Sequence, residues 1–270
     1  MPEHGTWVYV VVEGVEPNLL TGMTGVAGEP VRTTGANGLT AVVGTVPLAA
    51  FGEDALHRNL EDIDWLARVA QAHDAVVAAV ARAVPAVPFR MATVYFDDDR
   101  VGSLLEDRGD GFRAALSRVD GRSEWGVKAL LDVNELSEAA PAEASDRRGS
   151  GAGAAYLRRK REHHLLRERI DELAVEHADE IHATLTALAV DACLHRPQSP
   201  ALSQQKSPGG DSRTPGILPM ILNAAYLVDN GAVEEFAHEV GRQDERRPGV
   251  ELELTGPWPA YSFSSIGLEP

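Results

Sequence analysis

Residues 155–194 carry one stripe at helical spacing. Leu166, Ile170, Leu173, His177, Ile181, Leu185, Leu188 and Ala192 follow one another in steps of three and four. A helix of that length would extend about 60 Å at about 1.5 Å per residue, more than a single small sheet can cover. It must therefore break, or lend part of its length to a neighbour. Weakly patterned segments flank it. Residues 136–154 turn to Ala, Glu, Ser, Gly and Arg without periodicity and read as a linker. Residues 197–215, rich in Pro, Ser, Gln and Gly, read as a disordered or highly mobile loop. The division that follows is a first domain over 5–135 and a second over 155–270.

The first domain opens on Thr6-Trp7-Val8-Tyr9-Val10-Val11-Val12, a β-branched and aromatic run expected to be a buried strand. Residues 14–30 hold four glycines and two prolines and read as loop. Two short strands, 31–33 and 39–46, flank the turn signal Ala36-Asn37-Gly38. A helix is expected over 51–83, a strand over 89–96, a helix from Asp97-Asp98-Asp99 to about Val119, and a closing strand over 124–132. This is the element order of a ferredoxin-like domain with extra strands at its front. A sheet covered by helices on one face fits it best.

The second domain reads as the long helix, a strand over 217–228, a helix over 230–243 and a closing strand over 250–263. In the last of these, Val250, Leu252 and Leu254 alternate with Glu251 and Glu253, as in a half-buried strand. Gly256-Pro257-Trp258-Pro259 interrupts it, because proline lacks a backbone donor and cannot continue an interior ladder. The corner reads as a rigid turn that plugs Trp258 into the core, before Tyr261 and Phe263 resume the alternation. The fold class expected is thus α+β in two domains, the first a modified ferredoxin-like domain and the second built around a long helix.

Charge narrows the possible partners. With 25 Lys and Arg against 41 Asp and Glu, the net charge is −16. The acidity is spread: 11 minus 20 gives −9 for residues 1–135, and 14 minus 21 gives −7 for the remainder. Nucleic acid and anionic membrane surfaces both demand a basic footprint and are poor partners for this chain. No apolar run approaches the roughly 20 residues of a membrane span. The N-terminal residues lack the pattern of a secretory signal. The single cysteine, Cys193, lies in an alanine- and leucine-rich context and reads as a buried apolar group, with the cytosol as the expected compartment.

No motif for catalysis or metal binding survives inspection. Gly149-Ser150-Gly151-Ala152-Gly153 precedes a helix, but no strand leads into it and no Gly-Lys-Ser/Thr follows. The basic run behind it, Arg158, Arg159, Lys160 and Arg161, reads as a solvated face or as a docking patch for an acidic partner. Asp97-Asp98-Asp99 fails the calcium-loop pattern at Val101 and Arg108. His163, His164, His177 and His182 include no pair spaced by four. His73-Asp74 is equally weak as a metal site. Catalytic residues, metal sites and cofactors are therefore not expected. Glycine within Glu124-Trp125-Gly126-Val127-Lys128 marks a close backbone approach or a bulge.

Taken in order, the motifs resemble the gas vesicle protein family GvpL/GvpF over nearly the whole chain. The resemblance rests on Trp7-Val8-Tyr9-Val10, Phe51-Gly52, Asn59-Leu60-Glu61-Asp62, Trp65-Leu66 and His73. It continues through Val87-Pro88-Phe89-Arg90, Thr93-Val94-Tyr95, Glu124-Trp125-Gly126-Val127-Lys128, Gly151 and Ala155-Tyr156-Leu157. Asn223-Ala224-Ala225-Tyr226-Leu227-Val228 and Gly256-Pro257-Trp258-Pro259 with Tyr261-Ser262-Phe263 complete it. The segments 136–148 and 197–215 depart from the pattern without touching these motifs. The resemblance implies two α+β domains, no catalytic residues, and a role in building gas vesicles inside the cytoplasm. It implies an assembly or minor structural protein that binds the small hydrophobic main shell protein and other accessory proteins. Arg158, Arg159, Lys160, Arg161, Trp258 and Tyr261 are the partner-binding candidates. A small-ligand-binding regulatory protein on ferredoxin-like modules is the alternative.

Overall fold

The computed structural model describes residues 3–132, 152–196 and 219–264. The fold is α+β with two sheets, as the element order implied. The first sheet holds β1 (His4–Val12), β2 (Arg32–Ala36), β3 (Leu39–Pro47), β4 (Val87–Pro88) and β5 (Val94–Tyr95). Its order is β2-β3-β1-β4, with β5 also on β1, and these pairings are antiparallel. Every residue of β1 except His4 is buried. The reason is coverage of both faces, which an alternating strand does not need and a continuous apolar run does. On one face Trp7, Tyr9, Val10 and Val12 join Val69, Val76, Val77 and Val80. On the other, Val8 and Val11 join Val101, Leu105, Phe112 and Leu116. Helices therefore cover both faces of this sheet, not one. The change of parity within β1 comes from a register shift between Val8 and Val10, where the strand takes up one extra residue.

Several long elements of the sequence reading are divided. The helix expected over 51–83 is three: α1 (Leu48–Phe51), α2 (Glu53–Asn59) and α3 (Ile63–Ala81). Asp62 starts α3 afresh, its side chain accepting from the backbone N–H of Asp64 and Trp65 at 3.0 and 3.1 Å. Of the strand expected over 89–96 only the dipeptide β5 forms; β4 lies just ahead of that range, and Ala92, with a φ of 70°, turns the chain between the two. The helix expected from 97 to 119 breaks at Arg108 into α4 (Asp98–Asp107) and α5 (Gly109–Val119). Asp97 caps α4 through Arg100 N at 2.9 Å. At the β2–β3 turn, Asn37 and Gly38 have φ of 53° and 74°, the two positive values of a type I′ hairpin.

The second sheet has the order β7-β8-β6-β9. Its strands are β6 (Arg122–Leu131), β7 (Asp191–Leu194), β8 (Met220–Asp229) and β9 (Val250–Trp258), with α6 (Ala152–Thr186) and α7 (Val233–Glu245). The long helix stays continuous but ends at Thr186; Asp191–Leu194 is an edge strand on β8. Cys193 accordingly sits half-buried on a strand rather than inside a helix. Ile170, Ile181 and Leu185 of the expected stripe are buried with Val127, Leu131, Tyr226 and Phe236. At Gly126 a Cβ would come within 2.8 Å of Thr255 Oγ1, the close approach that the glycine signalled. Residues 136–151 of the expected linker and the loop 197–215 lie outside the described residues, while 152–154, also expected as linker, already belong to α6.

By its internal contacts the chain divides into two compact units: one runs to Glu124 and resumes at Pro257, the other spans Trp125–Gly256. The strand expected to close the first domain is thus β6 of the second sheet, the units dividing within it after Glu124, and the aromatic tail belongs to the first unit. Pro257 does not stop β9, which continues to Trp258. The proline is tolerated because β9 is an edge strand. Beyond it, the tail is fastened within the first unit. Glu124, 8% exposed, accepts hydrogen bonds from Ser262 N and Ser262 Oγ, both at 2.8 Å. Tyr261 donates to Asp74 Oδ1 at 3.0 Å, Phe263 is buried, and Arg118 lies 5.9 Å from its ring centroid.

His73 is the polar centre of the first unit. It is 1% exposed and uses both ring nitrogens. Trp7 Nε1 donates to His73 Nδ1 at 3.0 Å, so the proton sits on Nε2, which donates to the Phe89 carbonyl oxygen at 3.0 Å. Tyr9 stacks on the imidazole at 5.5 Å between centroids, with Trp7 edge-on at 5.8 Å and Tyr261 tilted at 6.4 Å. Burial pushes the imidazole below its ordinary pKa, and the hydrogen bond to Phe89 and the charge of Asp74 oppose this only in part. Histidine is therefore neutral in the fold, and acid must break the Trp7 bond to protonate it.

Two measurements follow. A lowered folded pKa means that the unfolded chain binds the proton first. The stability from His73 is present in full above about pH 6.5 and falls as pH drops through that value, at up to about 1.4 kcal/mol per pH unit. Urea unfolding between pH 7.5 and 5.5 should show a shallower pH slope for His73→Gln than for the natural chain; identical slopes would refute the assignment. In the tail, Glu124→Ala strands two donors and should cost about 1–3 kcal/mol, against about 0.5–1.5 kcal/mol for Ser262→Ala. The double variant should cost less than the sum, and strict additivity in denaturant melts would show that the pair does not interact.

Candidate functional site

The residues chosen from sequence fall into the two units. Arg158, Arg159, Lys160 and Arg161 lie on α6, and Trp258 and Tyr261 in the tail of the first unit. The side chains of residues 158–160 are outside the described residues; Arg161 is exposed. His164, Leu165, Glu168 and Arg169, also on this first half of α6, are exposed as well. Burial on the helix begins at Ile170 among the described residues.

The two aromatics divide in role. Tyr261 is committed to its own fold: its ring packs with the Trp7–His73 core and its hydroxyl is held by Asp74. Burial, and then the negative charge of Asp74, push its phenol well above the usual range. Trp258 does the opposite of plugging the core. It stands 52% exposed at the end of an edge strand, after the exposed Gly256 and Pro257. The aromatics of the tail that reach the core are Tyr261 and Phe263.

A second feature was not legible as a site. A groove of about 650 Å³ lies along the start of β2, its lining mixed: Val15, Met23 and the buried Leu20 and Val31 on the apolar side, Thr21, Thr24, Arg32 and Thr33 on the polar side. One wall is the 14–30 segment, which sequence composition marks only as loop. Its structure is well fastened. Tyr9 donates to Glu29 Oε1 at 2.7 Å and accepts from Val26 N at 2.9 Å, and Glu29 Oε2 accepts from Ala27 N at 2.8 Å. A Cβ at Gly44 would fall 2.0 Å from Glu29 Oε1, so glycine there makes room for the carboxylate. Burial, followed by the Glu29 hydrogen bond, raises the Tyr9 phenol far above its ordinary pKa and keeps it neutral. The signal that could have found this wall is the apolar set Leu19, Leu20, Met23 and Val26 inside a Gly- and Pro-rich stretch.

Beside the groove, Arg32 reaches Asp98 at 2.5 Å (Nη1 to Oδ2) and 2.8 Å (Nη2 to Oδ1), and Thr6 Oγ1 donates to the same carboxylate at 2.8 Å. The Arg32 guanidinium holds the Asp98 carboxyl below the usual range. This places one member of the Asp97–Asp99 run in an ion pair between strand and helix. Among the described residues no group of three His, Cys, Asp or Glu side chains is arranged to hold a metal ion. No helix among them is long and apolar enough to cross a membrane. His73, with both nitrogens engaged in the core, offers no free base. What the arrangement provides is surface: a groove of mixed polar and apolar lining beside a strand edge, and a half-exposed tryptophan.

Residues 5–265 match the family model described as gas vesicle synthesis protein GvpL/GvpF. Gas vesicle protein L of Streptomyces sp. (strain CB03234) is 39% identical over 97% of this chain and 94% of its own. Gas vesicle protein F of the same organism is 26% identical over 96% and 98%. Gas vesicle protein L1 of Halobacterium salinarum is 29% identical over 97% of this chain and 90% of its own. The crystal structure of gas vesicle protein GvpF from Anabaena sp. PCC7120 superposes with a TM-score of 0.66 at 17% identity, over 98% of this chain and 97% of that one. The chain belongs to the GvpL/GvpF family of gas vesicle proteins.

Proposed function

We propose that this protein is an assembly or minor structural component of gas vesicles. In this reading it binds the main shell protein and accessory proteins during vesicle formation, in the cytoplasm and at the vesicle. The observation that carries the reading is the family match over residues 5–265, which leaves neither unit outside it. The higher identity to a protein L than to a protein F of one organism, 39% against 26%, supports an L-type member.

The physical logic is escort. A shell protein with exposed apolar surface aggregates unless that surface is covered. A partner of net charge −16 keeps the resulting complex dispersed, while Trp258 and the apolar part of the groove, Val15 and Met23, supply contact. Arg158, Arg159, Lys160 and Arg161 form a basic docking run on a chain that is otherwise acidic, suited to an acidic accessory protein.

Co-purification with the main shell protein tests the reading. Association should be saturable, and deletion of the gene should lower vesicle number; the absence of both would overturn it. Trp258→Ala should weaken association about tenfold or more if the indole is an anchor, with little change in unfolding midpoint because the side chain is half exposed. Charge reversal of Arg158–Arg161 should lower binding to accessory proteins in a salt-dependent way. Salt-independent binding by both forms would remove the basic run from the interface.

A further inference from the structure

The open edge of β2 bears directly on the partner surface, and its backbone register states what it presents. Ala36 and Leu39 close a two-residue type I′ turn, so they form a hydrogen-bonded pair. Alternation then makes Thr34 with Ala41 and Arg32 with Val43 hydrogen-bonded pairs, while Thr33 with Val42 and Gly35 with Thr40 are not. The N–H and C=O groups of Thr33 and Gly35 therefore point away from β3, to the side where β2 has no neighbouring strand among the described residues. The preceding odd residue obeys the same rule: Val31 N donates outward to the Met23 carbonyl at 3.3 Å, and Thr24 bridges Pro30. A strand-like pairing thus begins on this edge and stops after Val31, and both Thr33 and Gly35 are exposed.

The edge also lacks the usual protections. Strand edges are normally blunted by a charge lying across them, a proline or a bulge. Here the two outward positions are threonine and glycine, and the one charged residue of β2, Arg32, is drawn to Asp98 and Thr45. The groove runs beside this edge, with Val15 and Met23 as apolar lining and Thr21, Thr24 and Arg32 as polar lining. Exposed Glu13 and Glu16 flank Val15 in sequence.

We propose that β2 is a strand-addition site: an extended segment of a partner protein pairs with Thr33 and Gly35 and places an apolar side chain in the groove. The segment is apolar at alternate positions and is not acidic, which complements Glu13 and Glu16. A second copy of this chain is the poorer occupant, because two copies at −16 repel one another. The inference rests on the shell-protein reading above and assigns it a surface.

The experiment uses the full chain and the main gas vesicle shell protein as probe. Hydrogen exchange on the natural sequence should slow at the Thr33 and Gly35 amides when the shell protein is added. Thr33→Pro removes an outward donor without touching the β2–β3 ladder, and should weaken association at least tenfold while leaving the unfolding midpoint within a few degrees. Association without protection at those amides, or undiminished in Thr33→Pro, overturns the edge and leaves the shell-protein reading intact. No association of the natural chain overturns both. Protection that appears with concentration in the protein alone, with a dimer in light scattering, would assign the edge to a second copy and overturn the choice of partner.

Discussion

The hydrogen bond from Trp7 Nε1 to His73 Nδ1 holds together the part of the molecule on which the rest is built. It joins the central strand of the first sheet to α3, and the opposite nitrogen of the same ring holds the Phe89 carbonyl. That carbonyl belongs to the stretch where the chain leaves β4 and has not yet rejoined the sheet at β5. Its oxygen would otherwise be a buried acceptor without a partner, at a cost of about 1–3 kcal/mol. One imidazole thus allows a strand to be interrupted inside the core. The aromatic rings of Tyr9, Trp7 and Tyr261 around it exclude the water that would compete for these bonds.

The tail depends on the same centre. Tyr261 reaches it by ring contact and by its hydrogen bond to Asp74, and Glu124 holds Ser262 by two further bonds. Glu124 is the last residue before the chain enters the second unit, and Ser262 follows soon after it returns at Pro257. A carboxylate with little exposure is stable there because the partners it needs, a backbone N–H and a hydroxyl, are delivered by the returning chain. In chain order the second unit is an insertion within the first.

Much of this was legible in order, less in extent. The continuous run from Thr6 to Val12 announces a strand buried on both faces, yet a count of element types suggested helices on one face only. Asn37-Gly38 announces its turn, because few residue pairs accept two positive φ values in succession. The breaks at 60–62 and at Arg108 are local choices, a capping aspartate and a non-helical dihedral, that leave the apolar spacing on either side undisturbed. The end of α6 was misplaced for a similar reason: Ala192 fits the stripe by spacing, but pairing with Tyr226 makes it strand. Of the site residues, Tyr261 and Trp258 look alike in sequence, and only packing separates the ring that is core from the ring that is exposed. The groove wall was missed because its fastening, Tyr9 to Glu29, spans 20 residues and has no period.

Sequence alone determined the membership and the chemistry that is plausible: an acidic α+β chain whose ordered motifs match one family, without a recognisable catalytic or metal motif. These follow from residue type and local spacing, which need no fold to be read. The tertiary structure decided where the tail goes, which sheet β6 joins, and which backbone groups of β2 are left facing outward. Those depend on contacts between residues far apart in the chain and on the pairing register of strands, and no local pattern encodes either one.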